Sequence, residues 1–426
     1  MRKTFSQGVH PKEMKHLTED KPIEEMPLVS DYFISLSQHI GASASPAVQK
    51  GDRVAEGQLI GQASGKVSAN IFSSVSGVVE DILPGKNAQG STVSYVHIKA
   101  QGDEKTFLPA MGQISGETIR ARIREAGIVG MGGAGFPTDI KCSPSKPADI
   151  LLINASECEP YLNSDYRLIM EHAKEAADGI KLLAEAVGVK KIMIGIEDNK
   201  MPAYEKLLAE GFDAVLLKKK YPQGAEKMLI RACTGWVVPK GGLPMDAGVA
   251  VNNVGTAYAV YDAVRNNAPL YKRVVTVSGG GVANPKNLWV RVGTPHEKIF
   301  EFCGGYTDKA VKFISGGPMM GFPLSETEHF STKTEGGLLA LTLEEINTME
   351  ESNCIHCGRC AKVCPMKLMP MYIDFHMLSG DLDNAVKYGA VDCIECGACS
   401  FICPAKRWLV QSIRMAKQKL KEKKAK

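Results

Sequence analysis

The sequence predicts a multidomain α/β protein of 426 residues, and three observations carry that prediction. Residues 45–100 consist of short β-like runs broken by Gly, Pro and Ser. After residue 117, apolar strands alternate with helical patterns. Eight of the twelve cysteines fall in the final quarter of the chain, which marks a local site rather than a scattered disulfide framework. At one domain per ~150 residues the length suggests about three domains. The text divides into an N-terminal segment with a β module (1–115), an α/β domain (116–268), a small β-rich domain (269–325) and a helical cysteine-rich domain with a basic tail (338–426).

With 44% hydrophobic and 23% charged residues the chain can bury more than one core, and this composition excludes disorder, collagen and coiled coil. Apolar stretches such as 337–343 fall far short of the ~18–20 residues needed to cross a bilayer, so no spanning segment is expected. The opening reads FSQGVHP from Phe5 and lacks the apolar core of a signal peptide. A reducing, cytosolic setting follows as an expectation, in which clustered cysteines mean metal or redox chemistry. The net charge of +4 is local: residues 405–426 carry nine Lys or Arg against Glu422 alone, which makes the tail +8 and the rest of the chain −4. Few aromatics interleave that tail, so it does not read as a nucleic-acid surface.

Within the β module, KGDRVAEGQLIG followed by SSVSGVVEDI resembles the barrel-sandwich hybrid fold of lipoyl and biotinyl carrier domains. Those carriers are modified on a hairpin lysine. Here Ile71-Phe72-Ser73-Ser74 stands near that place, so a structural role is expected. The α/β domain opens with a helix over 117–126 and a Gly-rich loop. Strands are expected at 150–154, 191–196 and 212–217, with helices at 165–187 and 201–210 between them. That alternation predicts a parallel sheet whose ligands sit beyond the carboxyl ends of the strands. Strands return over 273–320 around one short helix, 296–302, in a β-grasp-like module. A linker rich in Ser, Thr and Glu leads to a helical region from Leu341, and the residues after Ser412 read as a frayed helix in solution.

The most specific signal is CIHCGRCAKVCP, with Cys354, Cys357, Cys360 and Cys364, repeated as CIECGACSFICP, with Cys393, Cys396, Cys399 and Cys403. Both match the C-x2-C-x2-C-x3-C-P run of two-cluster ferredoxins, in which the fourth cysteine of each run ligates the other cluster. On that rule one [4Fe–4S] cluster takes Cys354, Cys357, Cys360 and Cys403, and the other takes Cys393, Cys396, Cys399 and Cys364. Soft thiolates suit iron–sulfur bonding, and the short loops let three of them reach one cube. Zinc more often shows two separated C-x2-C pairs. Helical text between the runs indicates a helical ferredoxin.

A second signal is GIVGMGGAGFPTDIKC, residues 127–142. Gly130, Gly132, Gly133 and Gly135 leave backbone amides open to a phosphate, and Lys141 can add a cation. It is neither G-x-G-x-x-G nor a Walker A loop. It gains weight from INASECEPYLNSDYR at 153–167 and VAVNNVGTA at 249–257. Asn154, Asn252 and Asn253 are amides suited to a ring or sugar edge, and Glu157 and Glu159 could meet ribose hydroxyls or a nicotinamide.

These three pieces in this order resemble the flavin and NADH site of the NADH-binding subunit of respiratory complex I. The GMGGAGFPT loop, Asn154 with Glu157 and Glu159, YPQGAE from Tyr221 through Glu226, and Asn252-Asn253 with Thr256 align with that family's FMN and NADH contacts. Ser156, Ala225 and Gly255 depart from it, each standing where that family has an acid. With FSQGVHP and the full order of modules, nearly the whole chain resembles the RnfC family, the NAD(H)-reacting component of the Rnf complex, a ferredoxin:NAD+ oxidoreductase ion pump. The resemblance implies a barrel-sandwich hybrid module, a Rossmann-like FMN/NADH domain, a β-grasp (SLBB-like) domain and a two-[4Fe–4S] ferredoxin domain. It also implies non-covalent FMN, NAD(H) as substrate, and contact with other Rnf subunits and, indirectly, ferredoxin. A peripheral position on the cytoplasmic face of a prokaryotic membrane, reached through those partners, follows from it as well.

Hydride carries two electrons and each cluster accepts one, so a flavin is expected between them. Phe136 and Tyr221 are the candidates for stacking near the flavin, with Glu159 beside the nicotinamide. Cys142, Cys158, Cys233 and Cys303 lack partner spacing and read as structural thiols; Cys158, between two glutamates, invites attention. Two rival readings are a soluble flavin-dependent cobalamin reductase with paired clusters, against which FSQGVHP and the β module argue, and a cluster-only electron relay.

Overall fold

The computed structural model describes residues 2–143, 146–324 and 329–425. The N-terminal β module is two antiparallel sheets. One runs in the order Asp31–Ser35, Thr92–Ala100, Gly77–Lys86, Arg53–Val54; the other is Ser45–Pro46, Leu59–Gln62, Ile71–Phe72. Alternating inward residues, among them Tyr32, Ile34, Ile60, Ile71, Val79, Val96 and Ile98, fill the space between the sheets.

The α/β domain holds a four-stranded parallel sheet in the order Ala214–Leu217, Lys191–Glu197, Ile150–Ala155, Val249–Asn253. In sequence order that is 3-2-1-4, so the order reverses between Ile150–Ala155 and Val249–Asn253, and the crevice of such a sheet opens there. Every expected strand and helix of this domain is present within two residues of its sequence bounds, and Val249–Asn253 adds a strand where the sequence offered only a motif. The helices Ser164–Val187 and Val254–Arg265 cross at Gly179, where a Cβ would stand 1.9 Å from the Ala257 carbonyl oxygen.

The domain boundaries need correcting. The third domain is a six-stranded sheet whose edge strand, Ile23–Glu25, comes from the N-terminal segment, and whose central strand, Gly337–Leu341, lies beyond the expected limit. Residues 269–325 alone would leave Val277 and Ile314 without the strand that separates them, so the sheet recruits an apolar run whose sequence suggests the start of the next domain. The 325 limit itself lies outside the described residues. The first residues serve the α/β domain too: Lys3 pairs with Leu217 and extends the edge of its sheet.

The cysteine-rich domain is helical, as expected: Arg359–Val363, Pro370–Leu378, Leu382–Lys387, Ala398–Ile402 and Leu409–Ala425. The tail expected to fray is the last of these helices. It is anchored because Ile413 and Ala416 are fully buried against Ile373 and Met377, while Lys417 and Arg414 pair with Glu395.

Candidate flavin and iron–sulfur sites

Two asparagines face each other at the switch point, Asn253 in register with Asn154 at the carboxyl ends of their strands. Asn154 donates its Nδ2 hydrogen to the Gly224 carbonyl at 2.8 Å and accepts from the Ser156 amide. Asn253 caps the following helix through the Gly255 amide and donates to Asp165 at 2.6 Å. Asn252, only 2% exposed, has no hydrogen-bond partner among the described residues at either Nδ2 or Oδ1. An amide buried and unpaired at both ends is costly, and it fits a group that a ligand completes.

The Gly-rich loop folds over this crevice. Gly130 donates to the Phe136 carbonyl, and the Met131 amide donates to Thr256 Oγ1 at 3.0 Å. Gly132 lies against Asn253, where a Cβ would sit 3.0 Å from its side chain, whereas Gly133 has open space around it. Gly135 takes φ 70° and passes so close to Thr334 that a side chain would collide. Lys141 reaches Glu226 at 2.6 Å and the Val251 carbonyl at 3.3 Å, so its charge is paired at the floor of the site rather than free. Phe136 is half-buried beside the loop.

Other expectations change. The Glu157 carboxylate, 4% exposed, accepts from the Asp165 amide at 2.6 Å and from Lys200 Nζ at 2.6 Å. It caps the Ser164–Val187 helix, so its oxygens are not open to ribose. Glu159 accepts from the Met319 and Met320 amides at 3.0 and 2.9 Å, and burial pushes its carboxyl up to about 7 against those two bonds. Tyr221 is not a stacking platform: it is 1% exposed, packed among Val9, Cys158, Met319 and Cys396, and its hydroxyl donates to the Cys396 carbonyl at 2.7 Å. Cys158 accepts from the Gly224 amide, and burial drives its thiol far up, as expected of a structural thiol.

Two residues were missed. Lys15 Nζ binds the carbonyls of Glu157, Glu159 and Leu162, and burial, then Lys200, lowers it to about 8. The surrounding MKHLTED carries no signal of this. Asp165 lies beside Gly255, its Oδ1 3.5 Å from where a Cβ there would stand, so an acid reaches that place from another helix. Burial, then Glu157, raises Asp165 to about 6.

The two cysteine runs fold alike, 39 residues apart. His356 and Glu395 take φ 53° and 56°, Gly358 and Gly397 start matching five-residue helices in left-handed conformation, and Lys367 and Lys406 repeat φ 56° and 54°. Left-handed residues within a loop turn successive amides inward, the geometry that cradles anionic groups. Cys364, Cys393, Cys396 and Cys399 line one cavity with Pro365, Ile394 and Ile413. Burial raises Cys393 to about 11 and Cys396 to about 12, with Cys364 adding to both. Cys360 packs with Cys399 and Cys403, and burial, then Cys403 and Cys354, raise its thiol. Cys364 thus shares a cavity with three thiols of the other run, while Cys399 also packs with Cys360 and Cys403. Cys357 is exposed. Among the described residues no group of three or more His, Cys, Asp and Glu could hold a single metal ion. The cavity with four thiols in its walls suits a larger inorganic group.

Four family descriptions match the chain in order: "RnfC Barrel sandwich hybrid domain" over residues 3–103, "Nuo51 FMN-binding domain" over 123–262, "SLBB domain" over 274–323 and "4Fe-4S dicluster domain" over 345–408. Fold and sites thus define a flavin and iron–sulfur electron-transfer protein with FMN and [4Fe–4S] cofactors. The C subunit of the proton-translocating ferredoxin:NAD(+) oxidoreductase complex of Clostridium ljungdahlii is 46% identical, over 98% of this chain and 94% of that one. Its Na(+)-translocating counterpart in Acetobacterium woodii is 43% identical over 98% and 97%, and the C subunit of the ion-translocating oxidoreductase complex of Rhodobacter capsulatus 43% over 97% and 83%. The chain belongs to the RnfC family, the C subunits of the Rnf-type ion-translocating oxidoreductase complexes.

Proposed function

We propose that this protein is the NAD(H)-reacting subunit of an Rnf-type ferredoxin:NAD+ oxidoreductase, exchanging hydride with NAD(H) at FMN and single electrons through two [4Fe–4S] clusters. The observation that carries the reading is the near-complete match to RnfC proteins named for this activity, 46% identical over 98% of the chain. FMN supplies the conversion between two-electron and one-electron chemistry that NADH and the clusters require.

The chain's own residues have separate tasks in this reading. The loop of Gly130, Gly132, Gly133 and Gly135 offers backbone amides to the FMN phosphate, and Asn252 satisfies its buried amide on the flavin. Asn253 and Thr256 fix the loop over the crevice, while Lys141 and Glu226 set the charge at its floor. Phe136 borders the nicotinamide side, Glu157 holds the start of the Ser164–Val187 helix, and Glu159 holds the backbone at Met319 and Met320. Cys354, Cys357, Cys360 and Cys403 hold one cluster; Cys393, Cys396, Cys399 and Cys364 hold the other.

The partners in this reading are the other Rnf subunits and, through them, ferredoxin, with the protein peripheral on the cytoplasmic face. Among the described residues no helix is long and apolar enough to cross a membrane, and ion passage is assigned to partner subunits. The test is anaerobic analysis of the purified chain with NADH added. About eight irons, one FMN and bleaching of the flavin by NADH are expected. Cluster absorption without bleaching would leave only an electron relay, and zinc in place of iron would refute the reading.

A further inference from the structure

The segment FSQGVHP is not used by the chemistry above, yet it lies where three units of the molecule meet. Gln7 and Gly8 both adopt left-handed backbone, φ 69° and 87°, and a Cβ on Gly8 would stand 2.5 Å from the Tyr221 carbonyl oxygen. The Gly8 amide donates to the Val363 carbonyl at 3.0 Å, one residue before Cys364. Val9 and Tyr221 exchange two backbone hydrogen bonds, at 2.8 and 2.9 Å. Tyr221 then hands its hydroxyl hydrogen to Cys396. From the third domain, Met319, held by Glu159, sets its carbonyl oxygen 2.6 Å from where a Cβ on Gly397 would be. Val9, Tyr221, Cys396 and Ala398 are buried together with Met319 and Ile394 packed against them, whereas Cys357 is exposed and Ile355 beside it is 67% exposed.

We propose that Tyr221 and the strap of residues 5–11 are positioning elements that lock the 393–399 loop onto the nucleotide-binding domain. The site of Cys364, Cys393, Cys396 and Cys399 is then the inward one, and that of Cys354, Cys357, Cys360 and Cys403 the outward one. The inference rests on the flavin and iron–sulfur reading above. A hydrogen bond to the peptide of a ligating cysteine orients a dipole beside its sulfur, and hydrogen bonding and burial around the sulfurs set cluster potentials. Removing the Tyr221 hydroxyl should therefore be felt at one cluster only.

The experiment compares the anaerobically purified full chain with Tyr221→Phe and Gly8→Ala by iron and flavin content, EPR-monitored redox titration and amide hydrogen exchange. Cys357→Ser identifies the outward cluster's signal. Tyr221→Phe should keep its iron and flavin and displace the midpoint potential of the inward cluster alone. It should also speed exchange of the amides at 394–398 about fivefold, the change in local opening that one typical hydrogen bond corresponds to. Gly8→Ala should repeat the pattern. A loaded variant with both potentials and the exchange unchanged, or with both potentials displaced alike, overturns this inference alone. A wild-type chain without flavin or iron overturns the functional reading and this inference with it.

Discussion

Asn252 shows what a single residue contributes to the site. Sequence pattern marked the pair Asn252-Asn253 equally, but the structure separates them: Asn253 spends its amide on a helix cap and on Asp165, while Asn252 keeps both ends unpaired in a buried place. Asn252→Ala should weaken flavin binding about tenfold or more, the loss of one or two hydrogen bonds of ~1 kcal/mol each, read by flavin fluorescence titration. Asn253→Ala should instead lower stability, by about 1 kcal/mol as a lost cap, read as a drop in the urea midpoint. The cysteines offer a sharper test, because in the proposed crossed ligation the sequence neighbour is the wrong partner. Cys364→Ala should abolish the cluster otherwise held by Cys393, Cys396 and Cys399, leaving about four irons and the EPR signal that Cys357→Ser removes. Glutamates are the least legible residues of the site. A carboxylate near a nucleotide motif looks like a ligand, and only three-dimensional neighbours reveal that Glu157 is consumed by a helix terminus and Lys200.

Elements were legible wherever periodicity was long. The 24-residue helix Ser164–Val187 and the strand Ile150–Ala155 announce themselves by apolar spacing and begin or end within a residue of expectation. Gly337–Leu341 did not, because a fully buried five-residue run has no alternation to distinguish a strand from the start of a helix. The tail was read as a helix, but its anchoring was missed for the opposite reason: its charges suggest solvation, and the few buried positions, Ile413 and Ala416, have their effect only against Pro370–Leu378. Close packing of two elements gives a stability prediction. Gly179→Ala places a methyl group into the Ala257 backbone and should cost about 1–3 kcal/mol, read as a lower urea midpoint with an unchanged slope.

At the scale of the whole molecule, the domains interlock rather than follow one another. Lys333, 1% exposed, donates to the carbonyls of Asn70 in the β module and Gly127 ahead of the Gly-rich loop, from a segment feeding the third sheet. Burial lowers it from 10.5 to about 7. Between those values the unfolded chain binds the extra proton, so this lysine makes stability rise with pH from about 7 to 10.5 and contributes no slope below 7. Lys333→Met should flatten the pH dependence of the unfolding free energy across that window, measured by denaturant titration. The sequence by itself determined the order of modules, the two four-cysteine runs, and the glycine loop with its asparagines, because these are written as local spacing. Tertiary structure alone decided where the domains end, which carboxylates and amides remain open, and that FSQGVHP and Tyr221 join the nucleotide domain to the cysteine loop. Those outcomes depend on burial and on hydrogen bonds between residues hundreds of positions apart, which no local pattern encodes.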